Sequence, residues 1–276
     1  MPDNNVASPS NLSTMDGFGF PVSYTTTSEA RARFVAGRMK NAVAWIEQQV
    51  GIRSVPWLFV VGPDEWDQVS LGHPYGLPHV GQGRIVVGHD AGSLWEGLLD
   101  TYAAQATADG WNRLTTVYGD PPDLSPFTDL LVVHELGHVT HGEPWTDDPV
   151  GFWLDELASN VILHGYVEEV EPRSLPDLET LFEVIWETPP DIWPVRDLNR
   201  MAESLAGDGT NYLWLEFGLQ TLAGRLWRSA GATALRGIVD LLRGPARPLD
   251  EVLDTLATYD SEVAHTLRHW CGGQPV

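Results

Sequence analysis

The run His134-Glu135-Leu136-Gly137-His138 is the part of the sequence whose residue types and spacing point most directly to chemistry. On a helix, residues four apart project from one face, so the two imidazoles can bind a single metal ion. Glu135 is offset from both rings, which suits its carboxylate to a water on the metal rather than to the metal itself. The run therefore predicts a zinc-dependent hydrolytic site with Glu135 as general base.

A catalytic zinc site needs a third protein ligand. The arrangement H-E-x-x-H-x-x-G-x-x-H fails here, because its glycine position holds His141 and its last position holds Pro144. On a straight helix His141 would lie about 10 Å along from His134, so we expect it outside the ligand set. The better candidate is Glu156, because the connector 142–150, with its two prolines, lets the next helix fold back against the first.

Asn160 lies one helical turn beyond Glu156 and shares its helix face. Its amide can donate or accept a hydrogen bond at the free edge of a ligand. An outer partner of this kind fixes the tautomer of a metal-bound imidazole. We therefore expect Asn160 to support the ligand set without binding the metal.

The segments HELGH and WLDELASN together resemble the gluzincin superfamily of zinc metallopeptidases, which includes thermolysin-like proteases and a large aminopeptidase branch. The resemblance covers about residues 128–165. It implies that His134, His138 and Glu156 bind zinc and that Glu135 is the base. It also implies a zincin-like catalytic core, in which a small mixed sheet with an antiparallel edge strand lies over the active-site helix.

The sequence departs from the family pattern in three places. Seventeen residues separate His138 from Glu156, one fewer than is usual in the aminopeptidase branch. Asn160 stands where the family often has an acidic residue, and GQGRIVVG stands where the exopeptidase motif G-x-M-E-N would fall. The resemblance therefore implies metallopeptidase chemistry and leaves endo- and exopeptidase action both open.

The chemistry implied is hydrolysis of a peptide bond. Zinc lowers the pKa of a bound water to about 7 and polarises the scissile carbonyl, and Glu135 transfers the water proton to the leaving amine. A further donor should stabilise the oxyanion, and family members often take a tyrosine or histidine from a later helix. Our candidate is Tyr212, at a helix start after the glycine-rich turn 207–209. The alternative for Tyr212 is an ordinary core or surface aromatic.

Composition restricts the partners. The chain has 38 acidic and 16 basic residues, a net charge of −22, and a single lysine, Lys40. So strong a negative field argues against nucleic acid and anionic membranes and favours cationic or neutral substrates, although it can also serve solubility alone. The partner that the resemblance implies is a peptide or protein substrate. Cys271 is the only cysteine, so no intramolecular disulfide can form. With neither a signal-like N-terminus nor an apolar run of about 20 residues, we expect a cytoplasmic protein. The oligomeric state is not predicted.

The elements that must position these residues follow an α+β order, mainly α. Residues 1–26, rich in Ser, Thr, Asn and Pro, indicate a flexible N-terminal arm. Residues 27–143 predict an α/β part that ends in the active-site helix. Residues 144–276 predict a helical lobe that carries the third ligand, and the two parts together form one catalytic unit.

Hydrophobic periodicity and breaker residues give the predicted elements inside these parts. Helices are predicted at 28–50, 63–66, 91–108, 126–142, 151–170, 176–187, 211–229, 231–243, 248–257 and 260–270. Strands are predicted at 55–61 and 84–88, a loop at 71–83 and a connector at 110–125. The strand 84–88 is our candidate edge strand, to which a peptide could add.

Two other interpretations stay open. Glu135-x-x-His138 also matches the E-x-x-H element of di-iron four-helix bundles, with a second copy at 262–265, although His134 and WLDE then have no role. The other is a non-catalytic or scaffold protein on a zincin fold, with a structural metal or none, since fold does not fix function. Glu135 argues against it, because a general base has no use without a water to activate.

Overall fold

The computed structural model describes residue 9 and residues 11–142, 148–205 and 209–273. It is mainly helical with a small mixed sheet, as the α+β order predicts. The strands are β1 (Ser13–Met15), β2 (Val22–Tyr24), β3 (Trp57–Val61), β4 (His79–Gly81) and β5 (Arg84–Gly88).

The helices lie close to the predicted ranges at most positions. In the first part of the chain they are α1 (Glu29–Gln49), α2 (Pro63–Trp66), α3 (Ser93–Ala103), α4 (Ala108–Tyr118), α5 (Ser125–Thr128) and α6 (Leu131–His138). In the second part they are α7 (Pro149–Val170), α8 (Leu175–Trp186), α9 (Thr210–Ala230), α10 (Ala232–Arg243), α11 (Leu249–Ala257) and α12 (Ser261–Trp270). A 3-10 segment, Leu198–Leu205, precedes α9.

The sheet has the strand order β1-β2-β3-β5-β4. The three inner strands are parallel, and β1 and β4 run antiparallel to their neighbours. The sequences of β3 and β5 are almost continuously apolar because both faces of each strand are buried. Leu58 and Ile85 face the main core, whereas Phe59 and Val86 face a smaller cluster with Trp66.

The predicted flexible arm at 1–26 is wrong for residues 13–24, which contain β1 and β2. Val22 and Tyr24 are buried in the main core, and β2 pairs with β3. Three-residue strands are too short to show the alternation from which strands are predicted. Residues 1–8 and 10 of the predicted arm lie outside the described residues.

The prediction that Arg84–Gly88 is the edge strand is also wrong. β4, which falls within the predicted loop 71–83, pairs antiparallel with β5 and covers it. The connecting residues Gln82 and Gly83 have φ of 47° and 75°, as a tight hairpin turn requires. The edges of the sheet are therefore β1 and β4.

The predicted connector 110–125 begins as a helix instead. α4 is capped by the Thr107 side chain, which accepts a hydrogen bond from Gly110 N at 3.0 Å. Leu114 and Tyr118 are buried, and α4 packs against α8. Tertiary packing thus outweighs the weak helix propensity of a segment that contains a glycine, an aspartate, an asparagine and two threonines.

α7 is the central helix of the helical part. From Val150 to Val167 every residue except Phe152 is buried, because α6, α9 and α10 all pack against it. Four polar residues recur at four-residue spacing along it, and we refer to them as the polar stripe: Glu156, Asn160, His164 and Glu168. Buried polar side chains require partners, so the polar stripe is a candidate location for a functional site.

Within the described ranges, no helix has the combined length and apolar character that a membrane crossing requires.

Candidate metal centre

α6 orients the histidine motif through its apolar face. Val132, Val133 and Leu136 are fully buried in the main core, and α6 contacts α1, β4 and β5. The opposite face carries His134 and His138 toward α7. The helix ends at His138, so both histidines lie in its last two turns.

Three side chains converge between α6 and α7. His134 Nε2 lies 3.1 Å from His138 Nε2 and 3.3 Å from Glu156 Oε2. His138 Nε2 lies 3.6 Å from the same carboxylate oxygen. The structure thus brings together the three residues that the sequence predicted as metal ligands.

The geometry of this cluster suits one small cation. Ligand atoms at zinc bond lengths in a tetrahedral site lie about 3.3 Å apart, close to the three separations between the ring nitrogens and Glu156 Oε2. This oxygen is buried and has no hydrogen-bond partner among the described residues. Buried polar atoms are rarely left unpaired, so the oxygen is suited to a cation. Nitrogen and carboxylate donors are the set that zinc favours.

The second nitrogen of each imidazole is engaged by α7. His134 Nδ1 lies 3.0 Å from Asn160 Oδ1, and His138 Nδ1 lies 2.9 Å from Asp155 Oδ1. Because amide and carboxylate oxygens accept, each imidazole donates through Nδ1, which leaves Nε2 as the atom that can bind a cation once it carries no proton. The expected contact of Asn160 with one of the two motif histidines is present, at His134.

His141 lies outside the cluster, as expected, and contacts Asp155. Its ring is buried, and Nε2 lies 2.9 Å from Asp155 Oδ1. Asp155 therefore contacts His138 and His141 with the same oxygen. From α7, Asp155 thus links His138, the last residue of α6, to His141 in the segment that follows that helix.

α9 contributes two further side chains to the cluster. The hydroxyl of Tyr212 donates to Glu156 Oε1 at 2.8 Å. One turn later, Glu216 Oε1 accepts from Asn160 Nδ2 at 2.6 Å. The sequence reasoning missed Glu216, whose signal is an acidic residue inside the apolar run LWLEFGL, four residues after Tyr212.

Glu135 is buried beside the cluster, and burial raises its pKa, although His134 and His138 oppose this shift. A raised pKa brings a carboxyl nearer the range in which it can accept and release a proton at neutral pH. The structure therefore places the sequence-predicted base in a buried position where it interacts with both histidines.

The electrostatics of the cluster show an excess of buried acid. Burial opposes protonation of His138, yet Asp155 and Glu156 outweigh burial and hold its pKa well above the usual value. Burial, and next the charge of Glu156, raise the pKa of Glu216 to about 8. Four buried carboxyl groups (at 135, 155, 156 and 216) thus interact electrostatically with the two histidines, and a cation would reduce the repulsion among those that are ionised.

The second E-x-x-H copy does not join this centre. Glu262 and His265 are exposed on α12. In the described part of the chain, the His-His-Glu cluster is the one group of potential ligands close enough to hold a metal ion. The paired arrangement that a di-iron bundle requires is therefore not found among the described residues.

No protein-family model matches the chain, and comparison with curated proteins and with solved structures finds no match either.

Proposed function

We propose that the chain is a zinc metallopeptidase of the gluzincin type, in which His134, His138 and Glu156 hold the metal and Glu135 is the general base. The observation that carries the proposal is the convergence of His134 Nε2, His138 Nε2 and Glu156 Oε2, with the outer nitrogen of each imidazole already hydrogen-bonded. A histidine face without a metal role would need neither feature.

The bound zinc would supply Lewis acidity, lowering the pKa of a water and polarising the scissile carbonyl. Glu135 takes the proton of the attacking water and passes it to the leaving amine. Its burial keeps bulk water from competing for that proton. The cluster thus combines a cation site and a base, the two parts that hydrolysis of an amide requires.

The fold supports the proposal through β4. This strand is an antiparallel edge of the sheet, and β4 and β5 contact α6. An extended peptide can add to such an edge through main-chain hydrogen bonds. A peptide substrate would therefore add to β4 and not to the strand 84–88. The sheet and α6 would together form a zincin-like core.

The net charge of −22 limits the substrate further. A strongly negative surface repels acidic partners and attracts cationic ones. The substrate class that fits is a neutral or basic peptide.

The test is metal analysis followed by hydrolysis of a peptide library. We expect about one zinc per chain and turnover that is lost with a chelator and restored by zinc. Zinc without turnover on any peptide would favour the scaffold protein. Two irons per chain would favour the di-iron interpretation, and protein that binds no added metal would refute the proposal.

A further inference from the structure

Two hydrogen bonds join α9 to α7, and the two partners are separated by the same number of residues in each bond. Tyr212 bonds Glu156, and Glu216 bonds Asn160, so both pairs are 56 residues apart in sequence. Equal offsets mean that the two helices run parallel and in register over this turn. We call Tyr212 and Glu216 the α9 pair.

Tyr212 determines which oxygen of Glu156 faces the histidines. Its hydroxyl donates to Oε1, and Oε2 is the oxygen that lies 3.3 Å from His134 Nε2. A carboxylate held at one oxygen loses rotational freedom before any metal binds. Such pre-orientation lowers the entropic cost of binding.

Glu216 determines which edge of the Asn160 amide faces His134. Glu216 Oε1 accepts from Nδ2, so Oδ1 is the edge that faces His134 Nδ1. Against an ionised Glu216, a flipped amide would oppose oxygen to oxygen, and at His134 it would oppose its own N–H to the Nδ1–H. Glu216 therefore fixes the Nδ1–H tautomer of His134 through Asn160.

We propose that the α9 pair are positioning residues that orient the metal ligands Glu156 and His134 from a third helix. The proposal rests on the zinc site proposed above. It gives Tyr212 a role in holding the metal ligand, in place of the oxyanion role predicted from the sequence. It also accounts for a buried acidic residue on α9, because burying a carboxyl group is costly unless it is paired.

The test is zinc affinity, measured by competition with a chromogenic chelator on the folded, full-length protein. We expect Tyr212→Phe and Glu216→Leu each to lower the affinity about 10- to 100-fold, the range typical of outer partners of metal ligands. Glu216→Gln should remain close to wild type, because its amide oxygen still accepts from Asn160.

Two matched controls separate positioning from general damage. Tyr166→Phe removes a hydroxyl that donates to Glu171 Oε1 at 2.6 Å, on α7 but away from the cluster. Gln220→Leu removes a buried amide one turn beyond Glu216, whose two polar atoms have no hydrogen-bond partner among the described residues. Neither should change zinc affinity.

A double-mutant cycle tests whether Glu216 acts through Asn160. Asn160→Leu should weaken zinc binding by itself. Adding Glu216→Leu should weaken it no further, because the route to His134 is already removed. Additive losses would contradict this route.

The outcomes separate this proposal from the proposed function. If wild type binds no zinc, the proposed function fails. If wild type binds zinc while Tyr212→Phe and Glu216→Leu bind it equally well, the α9 proposal is overturned. If Tyr212→Phe lowers kcat and leaves zinc affinity unchanged, Tyr212 stabilises the oxyanion and does not position Glu156. Tyr212→Phe, which removes a single oxygen, decides the matter if Glu216→Leu does not fold.

Discussion

Gly137 on α6 faces Ser159 on α7 so closely that a Cβ added to the glycine would lie 2.6 Å from the Cα of Ser159. Real Cβ atoms do not approach backbone atoms to this distance. The two helices therefore pack backbone to backbone at this point. Glu156 lies three residues before Ser159, so this close approach brings its carboxylate to the histidines.

Gly137→Ala should separate α6 from α7 and weaken zinc binding. The added methyl cannot be accommodated without a backbone shift, and overpacking of this kind costs about 1–3 kcal/mol of unfolding free energy. Zinc affinity and urea unfolding measure the two effects. Gly97→Ala on α3 is the control, since its Cβ would meet no atom within 4 Å. A Gly137→Ala protein with wild-type zinc affinity would contradict the close-contact argument.

Asp155→Ala should lower zinc affinity about 10- to 100-fold, because His138 Nδ1 loses its carboxylate acceptor at 2.9 Å and keeps only the Ser159 hydroxyl at 3.2 Å. The matched control on the same helix is Asp148→Ala. Asp148 caps α7 by accepting from Val150 N at 2.8 Å, so its loss should cost about 1 kcal/mol in stability. We expect no change in zinc affinity for this control. Equal zinc affinities in the two variants would show that Asp155 does not orient His138.

Glu135→Gln should retain zinc and lose hydrolysis. Glutamine has the same shape as glutamate but cannot accept and release the proton, and general base catalysis contributes about 10²- to 10⁴-fold. Zinc content and kcat/KM on a cleaved peptide measure the two effects separately. Turnover close to wild type would remove Glu135 from the mechanism.

His79, on the edge strand β4, should make stability depend on pH. Its ring is buried, and burial lowers its pKa from 6.5 to about 4, although the Leu77 carbonyl opposes the shift and His73 and Arg84 add to it. Because the folded pKa lies below the unfolded value, the unfolded chain binds the proton more readily. The stabilising contribution is complete above pH 6.5 and is lost as the pH falls from 6.5 toward 4.

The variant His79→Gln isolates this contribution. The difference in unfolding free energy between wild type and variant should fall by about 3 kcal/mol at most from pH 7 to pH 4, since one pKa unit corresponds to about 1.4 kcal/mol. Urea unfolding at four pH values measures it. Other titrating groups are common to both proteins, so parallel curves would contradict the prediction.

The local parts of the site could be predicted from the sequence. His134 and His138 follow from the four-residue repeat of a helix face, and Glu156 with Asn160 follows from a second helix that folds back. The contact between His134 and Asn160 has the geometry that this reasoning anticipated. The long amphipathic helix α1 was also found at its predicted position.

The rest depends on contacts between distant segments. Nothing near Glu216 in the sequence shows that α9 lies beside α7, so its bond to Asn160 could not be derived from spacing. β1, β2 and β4 are three residues long, too short for a two-residue period to be recognised. Because β4 could not be recognised in the sequence, β5 was predicted at the edge of the sheet and not inside it.

The polar stripe on α7 has a four-residue repeat, whereas the helix repeats every 3.6 residues. Each step along the stripe therefore turns it by about 40°, and the three steps from Glu156 to Glu168 turn it by about 120°. Glu156 and Asn160 thus meet α6 and α9, His164 packs against Gly224 on α9, and Glu168 lies near Arg228 at the surface. One inserted residue in this segment would rotate everything beyond it by about 100°, so a change in the length of α7 should displace every later residue of the polar stripe at once, whereas a substitution changes one contact.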